Sequence, residues 1–539
     1  MAIYALGTLP LITHAEAAGA TQTWFADDAC AANKLVNLRK WWSILTEVGP
    51  RYGYFVNPPK TWLVVKEEVH EAALVLFENT GVQITTEGRP LLGAPLGTEN
   101  FTDEFIRRAT AEWEGEIDRL ANIAKVHPQA AYSAYTHGHS NKWIYLSRVA
   151  EECAKHFGTL EVALRTKLFP AICGRQISDT DRDLLALPCR LGGLGLYNPT
   201  AVAKQFFQAA TNVTEPLINL IIPGGTAFSQ NSFAEALTDQ HKATRINKQI
   251  WTTRMHERAK SLKESIPADS TTALSMRWSD QPGASTWLTA LPFTSHGFDL
   301  TRREFYDALC LRYGWTPQNL PTSCACGQRF GLEHALSCKR GGFVAMRHDE
   351  VRDLFSGLLS ETCSNVVTEP ELQPLEGTIL RARGANRQDG ARLDIKAGGF
   401  WGRSRYEVTY FDVRVFNPYA ASYRSMSPQH VFGSHDNEKR RLYEERIRQV
   451  EGGCFTPLVF SCSGAAGKTS DVFLKRLASL LSDKRNINYG ETMGWLRCRL
   501  AFALLRASIL CLRGARGKPR STAVDPSVAL AEARVSWSD

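Results

Sequence analysis

Three groups of residues have the types and spacing to do chemistry. The first lies in CACGQRFGLEHALSC, where Cys324, Cys326, His334 and Cys338 are spaced C-x-C-x7-H-x3-C. Three thiolates and an imidazole make a closed tetrahedral donor set, which suits a structural zinc ion rather than a catalytic one. His334 and Cys338 are one helical turn apart, so both can face one ion. Gly327 can supply the turn that points the first two sulfurs at it. The competing reading is ordinary buried cysteines beside a surface histidine.

The second group is acidic. Asp394 lies in RLDIK, and Asp412 and Arg414 lie in FDVRV. Residues two apart on a strand share a face, so Asp412 and Arg414 point together while Phe411, Val413 and Val415 point into a core. A buried strand seldom carries such charges without a use for them. Two aspartates on adjacent strands can hold Mg²⁺ through oxygen, and the metal can activate water against a phosphate. Glu350 and Glu369 are further candidate carboxylates. Lys439 and Tyr443, four apart, project from one helix face. The competing reading is an Asp–Arg salt bridge across an ordinary sheet. The third group is Asp27 and Asp28 in TWFADDA, two adjacent carboxylates whose repulsion needs a reason.

These residues need elements to position them. RHDEVRDLFSGLLSETC reads as an amphipathic helix. NVVTEPEL, ARLDIKAGGFW and YEVTYFDVRVF read as strands. HDNEKRRLYEERIRQVEGG reads as a charged helix ending at Gly452-Gly453, and FTPLVFSCSG as a strand. The order α-β-β-β-α-β suits one small α/β domain. Upstream, MAIYALGTLPLI reads as an apolar helix, TWFADDA as a hairpin turning at the two aspartates, KTWLVV as a short strand, and GVQITTEGRPLLGAPLGT as a second hairpin. Residues 100–169 are helical in pattern. GWLRCRLAFALLRASILCLRGARGKPRS reads as an amphipathic helix with Arg497, Arg499 and Arg506, followed by a basic tail.

The bulk composition fits a multidomain globular protein: 539 residues, 44% hydrophobic and 22% charged. A net charge of +8 permits a polyanionic partner. The first twenty residues lack the basic start of a secretory signal, and no apolar run reaches membrane-span length. With thirteen cysteines, of which only three cluster, the expectation is an intracellular chain with reduced thiols and no membrane partner.

Several of these stretches, in order, resemble the C-terminal portion of non-LTR retrotransposon reverse transcriptases. FADD resembles the catalytic hairpin. NPPKTWLVV resembles the Lys-bearing strand after it, GRPLLGAPLGT the hairpin that positions the primer end, and LPCRLGGLGLYNP a thumb segment. A zinc knuckle followed by a restriction-like PD-(D/E)xK endonuclease is the C-terminal order of one class of these elements. In that nuclease pattern Leu393-Asp394 stands for the first pair and Asp412-Val413-Arg414 for the second. The family lysine is replaced by Arg414, with Lys396 or, better, Lys439 able to supply the ammonium.

The resemblance implies a multidomain α+β fold. Its segments are a partial polymerase palm (1–99), a helical thumb and connector (100–300), a zinc-knuckle linker (301–345), an αβββαβ endonuclease domain (346–485), and a C-terminal helix and tail (486–539). It implies Mg²⁺ at the nuclease and structural Zn²⁺, with DNA and element RNA as partners and a nuclear location. Asp27 and Asp28 would be polymerase Mg²⁺ ligands, with Lys60 near the pyrophosphate. Asp394, Asp412 and Lys439 would serve the nick. The zinc segment and the arginine-rich helices would grip phosphate. The remaining polymerase carboxylate would precede Met1, so the expectation is a C-terminal fragment or degenerate copy with an inactive polymerase region and an active nuclease. The alternative is a non-catalytic, zinc-containing nucleic-acid-binding protein.

Overall fold

The computed structural model describes residues 2–221, 229–268, 270–402 and 406–516. It is a mixed α+β structure, mostly helical with small sheets. Two compact units are present. One holds the described residues through Glu116 with Ser140–Ala163 and Asn198–Ile250; the other holds Ile117–His139, Leu164–Tyr197 and the described residues from Trp251 onward. Each is assembled from separated stretches, whereas the segments expected from sequence are contiguous.

The first unit opens with helix Ala2–Glu16, then strands β1 (Thr21–Phe25) and β2 (Asp28–Ala32). They pair antiparallel with Phe25 opposite Asp28, so the two-residue turn is Ala26-Asp27 and Asp28 already belongs to β2. Placing both aspartates in the turn therefore needs correction by one residue. Ala26 has φ +55 and Asp27 has no positive φ, the pattern of a type II′ hairpin turn. Trp24 packs beside a small core of Leu11, Ala15, Trp41 and Leu45. β3 is only Trp62–Val64, and it pairs in parallel with β4 (Gln83–Thr85). Lys60 is therefore not on the strand; Pro58 and Pro59 hold it in a 3-10 turn. β5 (Gly88–Leu91) and β6 (Ala94–Gly97) form a hairpin whose turn residues, Leu92 and Gly93, both have positive φ.

The second unit contains a four-stranded sheet of order β10-β9-β8-β7, from β7 (Ser364–Thr368), β8 (Ile395–Gly398), β9 (Val408–Phe416) and β10 (Cys454–Ser461). β7, β8 and β9 pair antiparallel, and β10 runs parallel to β9. A parallel neighbour needs a crossover, supplied here by helix Pro428–Arg446. The element order from helix Phe343–Thr362 through β10 is the α-β-β-β-α-β order read from the sequence. β9 owes its length to β-branched and aromatic residues, which suit a pleated, buried surface. Phe411 faces Phe400 and Phe473 of helix Lys468–Arg485, while Tyr410 lies with Tyr443 of the crossover helix.

The expected C-terminal helix is Tyr489–Arg513, which packs against helices Phe343–Thr362 and Lys468–Arg485 and buries Leu496, Leu500, Leu504 and Leu512. Its arginines serve the fold. Arg497 pairs with Asp471, Arg506 reaches the Asp299 carbonyl at 2.7 Å, and Arg513 grips the buried Asp307. Arg497 and Arg506 stay partly exposed beside these contacts, and Arg499 reaches the His296 carbonyl at 3.4 Å. The basic tail lies outside the described residues.

Candidate metal and nuclease site

The Cys/His segment folds as a knuckle. Ser323 bridges to Arg329, Cys324 N–H donates to the Gln328 carbonyl at 2.8 Å, and Gly327 turns the chain at φ +87. Helix Leu332–Ser337 then carries His334, and Cys338 follows as its C-cap. The four ligand atoms lie within 4.8 Å of one another. Cys324 Sγ is 3.8 Å from Cys338 Sγ, Cys326 Sγ is 3.9 Å from Cys338 Sγ, and His334 Nε2 is 3.3 Å from Cys326 Sγ. A tetrahedron with Zn–S near 2.3 Å has sulfurs about 3.8 Å apart. The cluster is thus sized to bind a metal such as zinc through Nε2 and three sulfurs. Burial raises the Cys324 thiol, but the Cys326 N–H, His334 and the neighbouring thiols outweigh it and bring it down to about 6, toward the thiolate a metal needs.

The knuckle is locked to the sheet rather than hanging as a linker. Asn417, just past the end of β9, donates to the Glu333 carbonyl at 3.0 Å and to Ser337 Oγ at 2.8 Å. The Glu333 carboxylate accepts from Ala421 N–H and pairs with Arg424 at 3.0 Å. Arg347, 2% exposed, donates to the Leu336 carbonyl from the next helix.

β9 also presents Asp412, 5% exposed. Lys439, from the crossover helix, places Nζ 2.5 Å from Asp412 Oδ2. The contact is an ion pair without hydrogen-bond alignment, so Oδ2 lacks a well-directed donor. Burial pushes the Asp412 carboxyl up to about 6; Lys439 opposes this and the charge of Asp394 adds to it. Tyr443 lies one turn beyond Lys439, its ring centroid 5.9 Å from Nζ.

Asp394 immediately precedes β8. Its Oδ2 accepts from the Val413 N–H at 2.5 Å and from His348 Nε2 at 3.2 Å. His348 also reaches the Val413 carbonyl at 3.1 Å and, through Nδ1, Asp349 at 3.3 Å. Burial lowers the imidazole pKa, but Asp394 and then Asp349 outweigh it and raise it to about 9. His348 is the neighbour that sequence reasoning missed. It sits one position from the buried stripe Arg347, Val351, Phe355 and Leu358, and only packing on the sheet turns it toward Asp394.

Among the other acidic and basic candidates, Glu369 and Lys396 make contacts of their own. Glu369, at φ +53, directs its carboxylate to Arg352 at 2.5 Å, although its N–H donates to the Asp394 carbonyl. Glu350 is exposed. Arg414 is exposed and makes no ion pair among the described residues. Lys396 Nζ sits 5.5 Å from the centre of the Tyr410 ring. Asp27 and Asp28 are both exposed, and among the described residues no third ligand-type side chain clusters with them.

Asp394 is near enough for its charge to raise the Asp412 carboxyl, and Asp412 Oδ2 is a buried oxygen without an aligned donor. Among the described residues the Cys/His knuckle is the one group of three or more Asp, Glu, His or Cys side chains close enough to share a metal; Asp394, Asp412 and His348 do not form a second. No family model matches this chain, and no curated protein matches it.

Proposed function

We propose that residues 343–485 act as a magnesium-dependent DNA-nicking endonuclease, within a retroelement-derived chain similar to the C-terminal portion of non-LTR retrotransposon proteins. The observation that carries the reading is the convergence on Asp412 of Lys439 from the crossover helix and Asp394 from the neighbouring strand. A buried carboxylate, a second carboxylate and an ammonium beside one strand are the parts that metal-assisted phosphodiester hydrolysis needs.

When bound, magnesium at this pair supplies Lewis acidity and an activated water. Asp394 and Asp412 provide the anionic oxygens. Lys439 holds Asp412 ionised at neutral pH and is placed to donate to a phosphate oxygen or to the attacking water. Tyr443 offers a second donor from the same helix face. His348 and the Val413 N–H fix the Asp394 carboxylate. Arg414 retains its proton at neutral pH and serves at most as a phosphate contact. The knuckle, with zinc, braces the end of β9. Nucleic acid, both DNA and element RNA, would bind through salt-dependent backbone contacts. Asp27 and Asp28 contribute no polymerisation by this chain alone.

A second reading, a non-catalytic zinc-containing nucleic-acid-binding protein, draws on one observation. Both carboxylates already have cationic partners, His348 and Lys439, without a metal. Nicking of supercoiled DNA by the full chain, with and without Mg²⁺, separates the two. The expected result is Mg²⁺-dependent nicking that Asp394→Ala and Asp412→Ala each reduce to background. Unchanged nicking in both variants removes the assignment, and no nicking in the parent favours the binding protein.

A further inference from the structure

Between β7 and β8 the chain leaves the sheet for about two dozen residues without a helix or strand. Loops of that length inside a compact unit are uncommon unless they have a function. This one closes at Asp394. The Glu369 N–H donates to the Asp394 carbonyl at 2.9 Å, the Leu393 N–H to the Pro370 carbonyl at 3.2 Å, and the Leu372 N–H to the Ala391 carbonyl at 2.8 Å. Leu372, Ala391 and Leu393 pack in the cluster that holds Tyr410 and Tyr443. The base of the loop is thus part of the Asp394–Lys439–Tyr443 neighbourhood.

The crest is fastened to the crossover helix. Arg446, fully buried, donates to three loop carbonyls, those of Asn386, Gln388 and Gln373, at 2.9–3.1 Å. The Glu445 carboxylate accepts consecutive N–H groups from Arg381 and Ala382 at 2.9 and 2.6 Å. The Asn386 N–H donates to the Leu442 carbonyl at 2.8 Å. Burying a guanidinium is costly unless its hydrogen bonds are met, and here loop carbonyls meet those of both terminal nitrogens while Nε stays unpartnered.

What the fastened crest displays is positive. Arg381, Arg383 and, from the helix beneath, Arg441 are exposed and make no ion pair among the described residues. A Cβ built on Gly384 would lie 3.5 Å from Arg441 Nε, so the crest runs beside that side chain. The neighbouring acids are committed: Glu445 to the loop backbone, Glu444 to Arg440, and Glu371 to Arg392. Glu376 and Asp389 are the remaining exposed acids of the loop.

We infer that the 370–393 loop is a preorganised phosphate clamp, in which Arg381, Arg383 and Arg441 grip the backbone of the duplex DNA strand presented to Asp394 and Asp412. Guanidinium groups pair with phosphate through two parallel N–H donors and carry no base preference, so the clamp would position the duplex rather than read it. The inference rests on the proposed nuclease reading for its choice of ligand, but it concerns binding.

The test compares the full-length parent with Arg381→Ala/Arg383→Ala/Arg441→Ala and with a charge-matched control, Arg254→Ala/Lys260→Ala/Lys484→Ala. The control removes exposed cations from other elements of the same unit. Affinity for a labelled 30-base-pair duplex and for a structured RNA is measured by anisotropy across a salt series without added magnesium. The expected result is duplex affinity weakened on the order of tenfold, and a salt slope shallower by about 2 to 3, because each lost phosphate contact removes about 0.9. The control should change less than about twofold. A triple variant that matches the parent overturns the inference, as does a control that loses as much. A loss confined to RNA overturns the assignment to DNA. If no protein nicks with Mg²⁺ but the clamp variant still loses duplex affinity, the nuclease reading fails and the clamp stands.

Discussion

The two aspartate pairs of this chain are built in opposite ways. Asp27 and Asp28 adjoin in sequence, sit at the tip of a two-stranded hairpin and are both exposed. Asp412 lies in one strand of a four-stranded sheet and Asp394 just before its neighbour, and each has a cationic partner from a different helix. Adjacency brings two carboxylates together at little folding cost but leaves them solvated. Convergence buries Asp412 and makes its protonation depend on Lys439 and Asp394. The difference can be tested by asking which pair the fold responds to.

The largest effect should come from the brace at the end of β9. Cys338→Ser removes one of the four side chains that could bind a metal such as zinc, and loosens the helix that Asn417 holds. The expected outcome is loss of bound zinc by elemental analysis and destabilisation of more than about 4 kcal/mol in chemical denaturation, because the free energy of binding a structural metal is also folding free energy. Full stability in a zinc-free variant would separate the knuckle from the sheet.

Next is the buried ion pair. Lys439→Met leaves Asp412 desolvated without its counter-charge, which should cost about 3 kcal/mol at pH 8. The folded Asp412 carboxyl is already raised by burial, and without Lys439 it rises further. Acidification to pH 5 then neutralises it, and the penalty relative to the parent should shrink. Lys439→Met/Asp412→Asn should recover most of the loss. A penalty independent of pH would place the effect in packing rather than charge.

Much of the second unit was legible in the sequence because it follows local rules. Alternation in YEVTYFDVRVF marked β9, ligand spacing marked the knuckle, and the i,i+4 relation placed Lys439 with Tyr443. His348 was not legible, since the face a helix turns to a sheet is set by packing. The fastening of the 370–393 loop by Arg446 was not legible either, because a buried arginine looks in sequence like any other residue of a charged helix. The partners of the C-terminal helix were not legible for a related reason: in sequence its arginines look like a basic face, and only the fold sets Asp471 beside Arg497 and Asp307 beside Arg513.

A smaller effect should follow pH at His348. Its folded pKa, about 9, lies above the ordinary imidazole value, so the stabilisation is fully present below about pH 6.5 and is lost as pH rises through 9. Without magnesium, the parent should exceed His348→Gln in unfolding free energy by about 1 to 2 kcal/mol at pH 6.5, and the two should converge near pH 10. A constant difference over that range would mean that the ring acts through shape alone.

The smallest effect should be at the pair that first draws the eye. Asp27→Asn/Asp28→Asn touches no ion pair and no buried surface among the described residues, so stability should move by less than about 0.5 kcal/mol. The change, where there is one, is upward, because removing two adjacent like charges relieves their repulsion. Two-metal nucleotidyl transfer needs a further carboxylate beside the pair, and no Asp, Glu, His or Cys clusters there among the described residues. Primer extension should therefore be at background in parent and variant alike, while nicking is unchanged. Extension by the parent that the double variant abolishes would reverse the comparison. It would mean that Asp27 and Asp28 gain their missing ligand from the nucleic acid or from a second chain, and that an exposed pair can still be a working half of a site.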